Sequence, residues 1–202
     1  MQDFWDIRYQ EEGVYGFKPN PFWVNQLSNI SGTHCLLPCE GEGRNAIWAA
    51  QQGWMVDAFD GSQVATKTCK KWATKAQVEV NCFRKDAFDF QPSLEYDAIG
   101  LFYSHMPPSL RAEFHRRAVS WLKPGGTIVL EAFHNQQLGL TSGGPQALDM
   151  LFTCEILKDD FNELELQSCE ALVMELDEGP YHQGTAHIVQ FVGIKALEAI
   201  QK

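Results

Sequence analysis

Residues 35–61 read Cys-Leu-Leu-Pro-Cys-Glu-Gly-Glu-Gly-Arg-Asn-Ala-Ile-Trp-Ala-Ala-Gln-Gln-Gly-Trp-Met-Val-Asp-Ala-Phe-Asp-Gly. This stretch contains a short apolar run, a glycine loop, a helical segment and a second apolar run that ends at Asp60. Glycines let the backbone approach a ligand closely, and a carboxylate after the second strand can accept hydrogen bonds from both ribose hydroxyls. The stretch therefore indicates a strand–loop–helix–strand unit that binds a nucleoside-containing cofactor.

Apolar runs alternate with helical segments through the first two thirds of the chain. Buried strands are predicted at 34–38, 55–59, 78–83, 96–102 and 126–133, and helices at 43–52, 62–75 and 108–121. Alternation at this spacing is typical of βαβ units in an α/β protein, with a mainly parallel sheet covered by helices on both faces. Two longer runs, 164–175 and 185–195, predict an antiparallel hairpin at the end of the sheet.

The rest of the chain is less regular. The first thirty residues are aromatic, with helices predicted near 3–11 and 21–29 and an interruption at Pro19 and Pro21. A glycine-rich loop at 138–145, which either closes over a ligand or is a disordered crossover, precedes a predicted helix near 146–160. No linker or repeat is evident, so we expect one domain over 1–202. Within it we expect an aromatic lid at 1–30, a cofactor-binding core at 34–133, and substrate-side loops with the terminal hairpin at 134–202.

The charge balance narrows the range of partners. The 202 residues include 16 Lys and Arg against 26 Asp and Glu, a formal net charge of −10, and 45% of them are hydrophobic. An acidic chain without a basic run repels phosphate backbones, so nucleic acid is not expected as a partner. No apolar segment reaches the roughly 20 residues that cross a bilayer, and the first residues lack a signal-peptide pattern. We expect a cytoplasmic monomer or homodimer that acts on a small molecule.

The six cysteines do not form a metal-binding pattern. They lie at positions 35, 39, 69, 82, 154 and 169, without a CxxC pair and mostly among apolar neighbours. This arrangement favours reduced core thiols over disulfides. Cys35 and Cys39 are four positions apart with no second pair, so neither zinc nor another metal is expected.

The glycine loop indicates which kind of cofactor fits. A dinucleotide site has a third glycine a few residues into the helix, where the pyrophosphate meets the helix N-terminus, but Arg44-Asn45-Ala46-Ile47 stands there. The loop therefore favours a cofactor without a diphosphate. Asp60 is either the ribose acceptor or the N-cap of the following helix, a role that Ser62 could also fill. Asp86, after the third strand, either accepts a hydrogen bond from an adenine amine or belongs to a solvated turn.

These residues together resemble the class I S-adenosylmethionine-dependent methyltransferases, and among them the small tellurite-resistance and thiopurine methyltransferase-like group. Gly41-Glu42-Gly43-Arg44-Asn45 is similar to the cofactor loop of that group. Asp60 and Asp86-Ala87 match the positions that hold ribose and adenine. Residues 96–111 resemble the fourth strand with its following loop, and 122–126 resemble the turn into the fifth. The resemblance runs over nearly the whole chain.

The resemblance implies a fold, a cofactor and a reaction. The fold is a single Rossmann-like methyltransferase domain with a mainly parallel seven-stranded sheet and an antiparallel last strand. The cofactor is S-adenosylmethionine, and the acceptor is a small molecule, for which the group suggests a thiol or a chalcogen species. The cofactor-binding residues expected on this basis are Tyr15, Glu40, Gly41, Glu42, Gly43, Asn45, Asp60, Gly61, Ser62, Asp86, Ala87, Phe102 and Tyr103.

One stretch departs from the family pattern. Leu37, Pro38 and Cys39 stand where most relatives carry an acidic residue and a glycine, so either Glu40 or a water molecule replaces the missing carboxylate. This departure leaves open a protein that binds S-adenosylmethionine without catalysis. A nicotinamide-dependent oxidoreductase is the remaining alternative, and the missing third glycine counts against it.

Histidines supply the candidates for catalysis. His105 follows the fourth strand and either accepts a proton from the acceptor or makes a structural hydrogen bond. Arg111 either neutralises the charge of the acceptor or fixes its loop. His134, Tyr181 and His182 are expected to approach the crevice from the far side, and His182 is the favoured contact to substrate, with a catalytic role.

The N-terminal aromatic residues are candidates for covering the site. Trp5, Tyr9 and Tyr15 either form a lid, whose ring faces attract the sulfonium by cation–π interaction, or simply pack on the sheet. Tyr15 is the favoured contact to the cofactor, and Tyr9 is expected on the substrate side.

Overall fold

A computed structural model describes residues 2–197, which form one seven-stranded sheet. The strands are β1 His34–Pro38, β2 Met55–Asp60, β3 Asn81–Arg84, β4 Tyr96–Phe102, β5 Leu122–Phe133, β6 Leu164–Asp177 and β7 Gln183–Lys195. Their order across the sheet is β3-β2-β1-β4-β5-β7-β6. β1 to β5 pair in parallel, and β7 pairs antiparallel with both β5 and β6. The predicted α/β fold with an antiparallel last strand is confirmed.

Six helices accompany the sheet within the described residues. They are α1 Gln2–Arg8, α2 Pro21–Leu27, α3 Arg44–Gln51, α4 Gln63–Lys75, α5 Pro108–Ser120 and α6 Cys154–Asp160. The Asn20 side chain caps α2 by accepting the Phe22 and Trp23 N–H groups, and Pro21 takes the first helical position, where its missing N–H costs nothing. The Ser62 hydroxyl caps α4 in the same way. None of the described helices is long and apolar enough to cross a membrane.

The alternation of side chains along β1 produces a core on each face of the sheet. Leu36 packs in the cluster that contains Phe114 of α5. Its neighbours Cys35 and Leu37 point to the opposite face and pack in the cluster that contains Trp23 of α2. Ala46 of α3 belongs to the second cluster as well. Helices therefore cover both faces, as the sequence predicts.

The predicted helix near 146–160 is wrong over its first half. The segment contains a 3₁₀ helix at Leu148–Met150, and α6 begins only at Cys154. Phe152 is the reason, because it pairs with His134 in an isolated parallel bridge and this extended backbone interrupts a helix. Thr153 then caps α6 by accepting the Ile156 N–H.

Two of the parallel strands begin at positions other than those predicted. β3 begins at Asn81 instead of residue 78, because the chain is still leaving α4: the Val78 N–H bonds to the Ala73 carbonyl, and Gln77 has a φ of 57°. β5 begins at Leu122 instead of residue 126, since Leu122 already pairs with Tyr96 before a register shift. Both differences lie at strand starts, away from the carboxyl ends of the strands.

Four cysteines are paired. The structure joins Cys69 of α4 to Cys82 of β3, and Cys154 of α6 to Cys169 of β6, with Cα–Cα distances of 6.5 and 5.8 Å. The prediction of reduced thiols is wrong for these four, because residues 13 and 15 positions apart become neighbours only when helix and strand pack. Cys35 and Cys39 are free thiols.

Candidate active site

The order of the strands creates a crevice at the carboxyl ends of β1 and β4. From β1 the chain continues outward to β2 and β3, whereas from β4 it continues in the other direction to β5. Connections on the two sides of such a switch point diverge, and ligands of open α/β sheets bind between them. Residues 39–43 follow β1 at this point, and Tyr103 follows β4.

The loop after β1 depends on left-handed backbone conformations. The φ angles are 54° at Cys39, 64° at Gly41 and 90° at Gly43. A Cβ on Gly41 would lie 2.5 Å from the Tyr9 hydroxyl, and one on Gly43 would meet the Cys69 sulfur. Both positions therefore need glycine for their conformation and for space. Tyr9, expected on the substrate side, lies instead against the cofactor loop.

Glu40 is bound to the start of α3. Its carboxylate accepts the Asn45 N–H at 2.7 Å, the Ala46 N–H at 2.9 Å and the Asn45 Nδ2 at 3.1 Å. Burial outweighs these bonds and raises the pKa of Glu40 to about 7. A carboxylate thus stands beside the loop although the first strand lacks one.

Asp60 ends β2 and joins the two loops that flank the crevice. Its carboxylate accepts the Gly41 N–H at 3.0 Å and the Ser62 N–H at 2.7 Å. Burial raises the pKa of Asp60 to about 6. Ser62, not Asp60, caps α4 with its side chain. A carboxylate offers about four acceptor sites, so two remain for ribose hydroxyls. Space is open beside Gly61, the next residue, because a Cβ added there would meet no atom within 4 Å.

Asp86 and Ala87 follow β3 in a turn. Asp86 is exposed and accepts the Phe88 N–H at 2.9 Å, while Ala87 is buried in the core beneath. This hydrogen bond uses one of the carboxylate oxygens, and the other stays available for an amine.

The N-terminal lid, defined as residues 2–20, is hydrogen-bonded to the loop after β1 and to the loop after β2. The Glu42 carboxylate accepts the Gly13 N–H with both oxygens, at 2.9 and 3.0 Å. The Asp6 carboxylate accepts a hydrogen bond from the Ser62 hydroxyl at 2.6 Å. Burial raises the pKa of Glu42 to about 7. The lid therefore lies over the ends of β1 and β2.

An aromatic cage surrounds the ring of His182, which lies in the connection between β6 and β7. We define the cage as Tyr15, Tyr103 and Phe133, whose ring centroids lie 4.7, 4.3 and 5.1 Å from the imidazole. The ring of Tyr181 lies 6.0 Å from that of Tyr15. The cage joins the N-terminal lid to the ends of β4 and β5. Tyr15, expected at the cofactor, thus contacts His182.

Two arginines border the cage. The Arg8 guanidinium lies 3.8 Å from the centroid of Tyr181, and its Nη1 donates a hydrogen bond to the Tyr15 hydroxyl at 3.0 Å. Arg44, the first residue of α3, makes an ion pair with Glu178 at 3.0 Å. Glu178 also contacts His182 Nδ1 at 3.3 Å. Burial alone would raise the pKa of Glu178, but the bonds from His182 and Arg44 hold it below its ordinary value.

A buried carboxylate lies beneath the cage. Glu131 of β5 accepts hydrogen bonds from Asn20 Nδ2 at 2.5 Å, from the Tyr103 hydroxyl at 2.8 Å and from Gln190 Nε2 at 2.6 Å. Burial raises the pKa of Glu131 despite these three donors. The network orients Tyr103, whose φ of 51° turns the chain at the end of β4.

His105 occupies a structural position. Its Nδ1 lies 2.7 Å from the Met150 carbonyl, and its Nε2 accepts the Phe133 N–H at 3.1 Å. Burial lowers the pKa of His105 to about 4. Both ring nitrogens are engaged with backbone, so the geometry favours the structural alternative over proton transfer.

Arg111 of α5 makes an ion pair with Asp160 of α6. Its Nε donates to Asp160 at 2.7 Å, and the same carboxylate contacts His115 Nδ1 at 2.8 Å. The contacts join α5 to α6, which agrees with the loop-fixing alternative. His134 caps a 3₁₀ helix, accepting the Gln136 N–H, and within residues 2–197 no hydrogen bond or ring contact joins it to His182.

Four residues of this site had no role assigned by the sequence analysis. Glu178 and Arg44 are 134 positions apart, and Asn20 and Glu131 are 111 apart. A carboxylate inside the apolar run of β5 was the available signal for Glu131. Asn20 before Pro21 fits the pattern of an N-cap, but no local pattern indicates that its side chain also bonds to Glu131. For Glu178 the sequence carries no signal, because only the fold brings it to α3.

The chemistry of the loop residues distinguishes between cofactors. Glu40, Glu42, Asp60 and Asp86 place four carboxyl groups around the crevice, while Arg44 is already paired with Glu178. Carboxylates favour a ligand with hydroxyl groups, amines and positive charge, and they repel a diphosphate. The residues therefore fit S-adenosylmethionine better than a nicotinamide dinucleotide.

Comparisons with known proteins agree with this assignment. Residues 37–126 match a family model described as "Methyltransferase domain". The chain is similar to thiopurine S-methyltransferase of Acinetobacter baylyi, with 33% identity over 70 residues that cover 32% of each chain. It is also similar to thiopurine S-methyltransferase of Vibrio cholerae, with 24% identity over 164 residues that cover 71% of this chain and 74% of the other. The crystal structure of TehB from Haemophilus influenzae superposes with a TM-score of 0.73 and 15% identity, covering 96% of this chain and 66% of that one.

The sheet and the loops at its carboxyl edge form an α/β domain with a crevice at the switch point, the place where open α/β sheets bind their ligands. The matched methyltransferase domain spans the loop after β1 and the ends of β2 and β4. The predicted resemblance to the class I S-adenosylmethionine-dependent methyltransferases is confirmed, since the methyltransferase-domain model, the thiopurine S-methyltransferases and TehB are all similar to this chain.

Proposed function

We propose that this methyltransferase methylates a small, neutral, soft nucleophile, a thiol in the first instance, inside the aromatic cage. One observation carries the proposal. His182 stands in the cage with Nδ1 engaged by Glu178, and within the described residues Nε2 makes no hydrogen bond. A histidine held in this way has a nitrogen free of hydrogen bonds within a ring of aromatic side chains, as a base for a thiol requires.

The residues around the crevice would hold the cofactor in a defined way. Asp60 would accept the ribose hydroxyls, Asp86 the adenine amine, and Glu40 with the backbone of Gly41 and Gly43 would face the amino-acid end. When bound, S-adenosylmethionine supplies an electrophilic methyl group and departs as the neutral thioether S-adenosylhomocysteine. The N-terminal lid excludes water, and the faces of Tyr9 and Tyr15 favour a positively charged ligand.

The chain's own chemical step is proton removal from the acceptor. His182 Nε2 would take the proton of the thiol and leave a thiolate, which would receive the methyl group that bound S-adenosylmethionine would supply. The cage holds the acceptor in line with the methyl group, and such positioning accounts for much of the rate. The imidazolium then returns its proton to solvent.

The charges around the cage favour a neutral acceptor over an oxyanion. Glu131 and Glu178 are both buried there, while Arg8 contacts Tyr15 and Tyr181 and Arg44 pairs with Glu178. An anion such as selenite or tellurite would enter beside these two carboxyl groups, and Arg44, the cation next to them, is already paired with Glu178. The name of the two similar thiopurine S-methyltransferases points to an aromatic thiol as the first acceptor to try.

Calorimetry and a transfer assay test the proposal. We expect saturable binding of S-adenosylmethionine and S-adenosylhomocysteine, no binding of NAD, and transfer of a labelled methyl group to aromatic thiols in preference to selenite and tellurite. His182→Gln should abolish most of the transfer, and His134→Gln, outside the cage, is the matched control. Binding without transfer to any acceptor would favour a binding protein over an active methyltransferase. Transfer to the oxyanions alone would contradict the neutral-acceptor assignment.

A further inference from the structure

The buried contact between Glu178, His182 and Arg44 connects the cofactor loop to the acceptor cage. We infer that Glu178 is the positioning residue that fixes the tautomer of His182, and that Arg44 keeps Glu178 in the form able to do so. This inference rests on the proposed function of His182. It assigns the two residues roles in the reaction although neither touches the reacting atoms.

The three side chains are held in one arrangement. Glu178 Oε2 lies 3.0 Å from Arg44 Nη2 and 3.3 Å from His182 Nδ1. The side chains are only 9%, 11% and 7% exposed for Arg44, Glu178 and His182. The connection is closed by backbone bonds, from the Glu178 N–H to the His182 carbonyl at 2.9 Å and from the His182 N–H to the Gly179 carbonyl at 3.1 Å. These bonds fix the backbone of the connection, and the rings of the cage pack against the imidazole on its sides.

The ionised carboxylate determines where the imidazole carries its proton. A carboxylate only accepts hydrogen bonds, so Nδ1 of His182 must be the protonated nitrogen, and Nε2 keeps its lone pair. The other tautomer would place a proton on Nε2 and leave the cage without a base. In serine proteases, a carboxylate beside the catalytic histidine fixes the tautomer in the same way.

Arg44 controls this tautomer through Glu178. A buried carboxylate without a cationic partner takes up a proton, because burial disfavours its charged form. A protonated Glu178 would donate to Nδ1 and so favour the inactive tautomer. Arg44 directly follows Gly43 in the cofactor loop, so the position of α3 and the protonation of the acceptor base are linked by one ion pair.

Several charged or titratable groups face His182 from neighbouring elements. Burial lowers the pKa of His182, the contact with Glu178 opposes this, and Arg44 and Arg8 add to the lowering. A neutral imidazole at pH 7 is the form that a base needs. The groups that face it are Glu178 of the connection, Arg44 of α3, Arg8 of α1, Tyr15 of the lid, Tyr103 after β4 and His105 beyond it.

The test replaces the carboxylate by an amide of the same shape. In Glu178→Gln the amide can donate to Nδ1, which favours the tautomer with its proton on Nε2. Nitrogen-15 NMR of labelled histidine should show the His182 proton on Nδ1 in the wild type and on Nε2 in the variant. We expect kcat to fall at least about 100-fold, unchanged affinity for S-adenosylmethionine, and partial recovery in Glu178→Asp. Glu170→Gln, an exposed change on β6, is the matched control.

A second variant tests the role of Arg44. Arg44→Met should raise the pKa of Glu178, increase the fraction of the Nε2 tautomer, and regain activity as the pH rises and Glu178 ionises. If Glu178→Gln keeps its proton on Nδ1 or keeps wild-type kcat, the inference is overturned. The NMR signal does not depend on turnover. If the wild type methylates no thiol, the proposed function fails, while the tautomer result still decides the positioning role.

Discussion

The sharpest test of the cofactor site is Asp60→Asn. Asp60 accepts the N–H groups of Gly41 and Ser62 at 3.0 and 2.7 Å, and its carboxylate has further acceptor capacity for the proposed ribose contact. The amide of this variant keeps one acceptor oxygen, but its NH2 group would face the N–H donor of either Gly41 or Ser62. The variant therefore loses a charge-assisted hydrogen bond to the ribose, which contributes about 1.5 to 3 kcal/mol. Affinity should fall by about 10-fold to 150-fold.

Isothermal titration calorimetry with two ligands separates the ribose contact from a general charge effect. S-adenosylmethionine and S-adenosylhomocysteine share the ribose and differ in the charge on sulfur. A lost ribose contact weakens both equally, whereas a lost long-range attraction weakens the cationic ligand more. We expect equal losses for Asp60→Asn.

Asp57→Asn is the matched control on the same strand. Asp57 accepts hydrogen bonds from Tyr96 and Asn81 at 2.6 and 2.7 Å, away from the crevice. This variant should lower thermal stability without changing affinity for the cofactor. Unchanged affinity in a folded Asp60→Asn variant, or an equal loss in Asp57→Asn, would refute the ribose assignment.

Three further predictions concern pH, His105 and the lid. Burial raises the pKa values of Glu40 and Glu42 to about 7 and that of Asp60 to about 6. The folded protein therefore retains protons that the unfolded chain releases. Urea denaturation should show that the free energy of unfolding falls as the pH rises from about 4.5 to about 7. Glu42→Gln should flatten this dependence, and a rise over the same interval would contradict it. His105→Ala should lower the free energy of unfolding by about 2 to 4 kcal/mol through lost packing and hydrogen bonds, while calorimetry shows unchanged cofactor affinity; weakened binding with wild-type stability would oppose the structural role. Gly179→Ala should expose the N-terminal lid to limited proteolysis, because its Cβ would meet the Gly16 nitrogen at 2.6 Å. Gly184→Ala is the control, because Gly184 also has a positive φ of 99° but an added Cβ would meet no atom within 4 Å. Equal cleavage of the two variants would show that backbone strain, and not the contact with Gly16, determines whether the lid is exposed.

Local signals in the sequence were sufficient for most of the fold. The uninterrupted apolar run of β1 predicted a strand buried on both faces, and Leu36 with Leu37 confirms it. The start of α2 followed from Pro21. The place of Asp60 followed from the end of an apolar run, since carboxyl ends of parallel strands share one edge. Each of these signals depends on neighbouring residues alone.

Properties that depend on distant partners could not be predicted. His105 has a plausible position for a base, but its role depends on the backbone of Met150 and Phe133. The segment 146–160 has a helical composition, yet Phe152 pairs with a strand end. Glu178 looked like an ordinary residue of a hairpin connection. Its function is suggested only when Arg44 and His182 are brought to it.

The attachment of the N-terminal lid also affects how the chain folds. Asn20 bonds to Glu131, and Gly16 packs against the backbone of Glu178 and Gly179. These partners are made much later than the lid, whereas Glu42 and Ser62, which bond to Gly13 and Asp6, follow it closely in the chain. The lid can therefore dock first on the loops after β1 and β2 and reach the β6–β7 connection only after that connection has been made. Contacts of such long sequence separation slow folding, so we expect the docking of residues 14–20 to be a late step in folding.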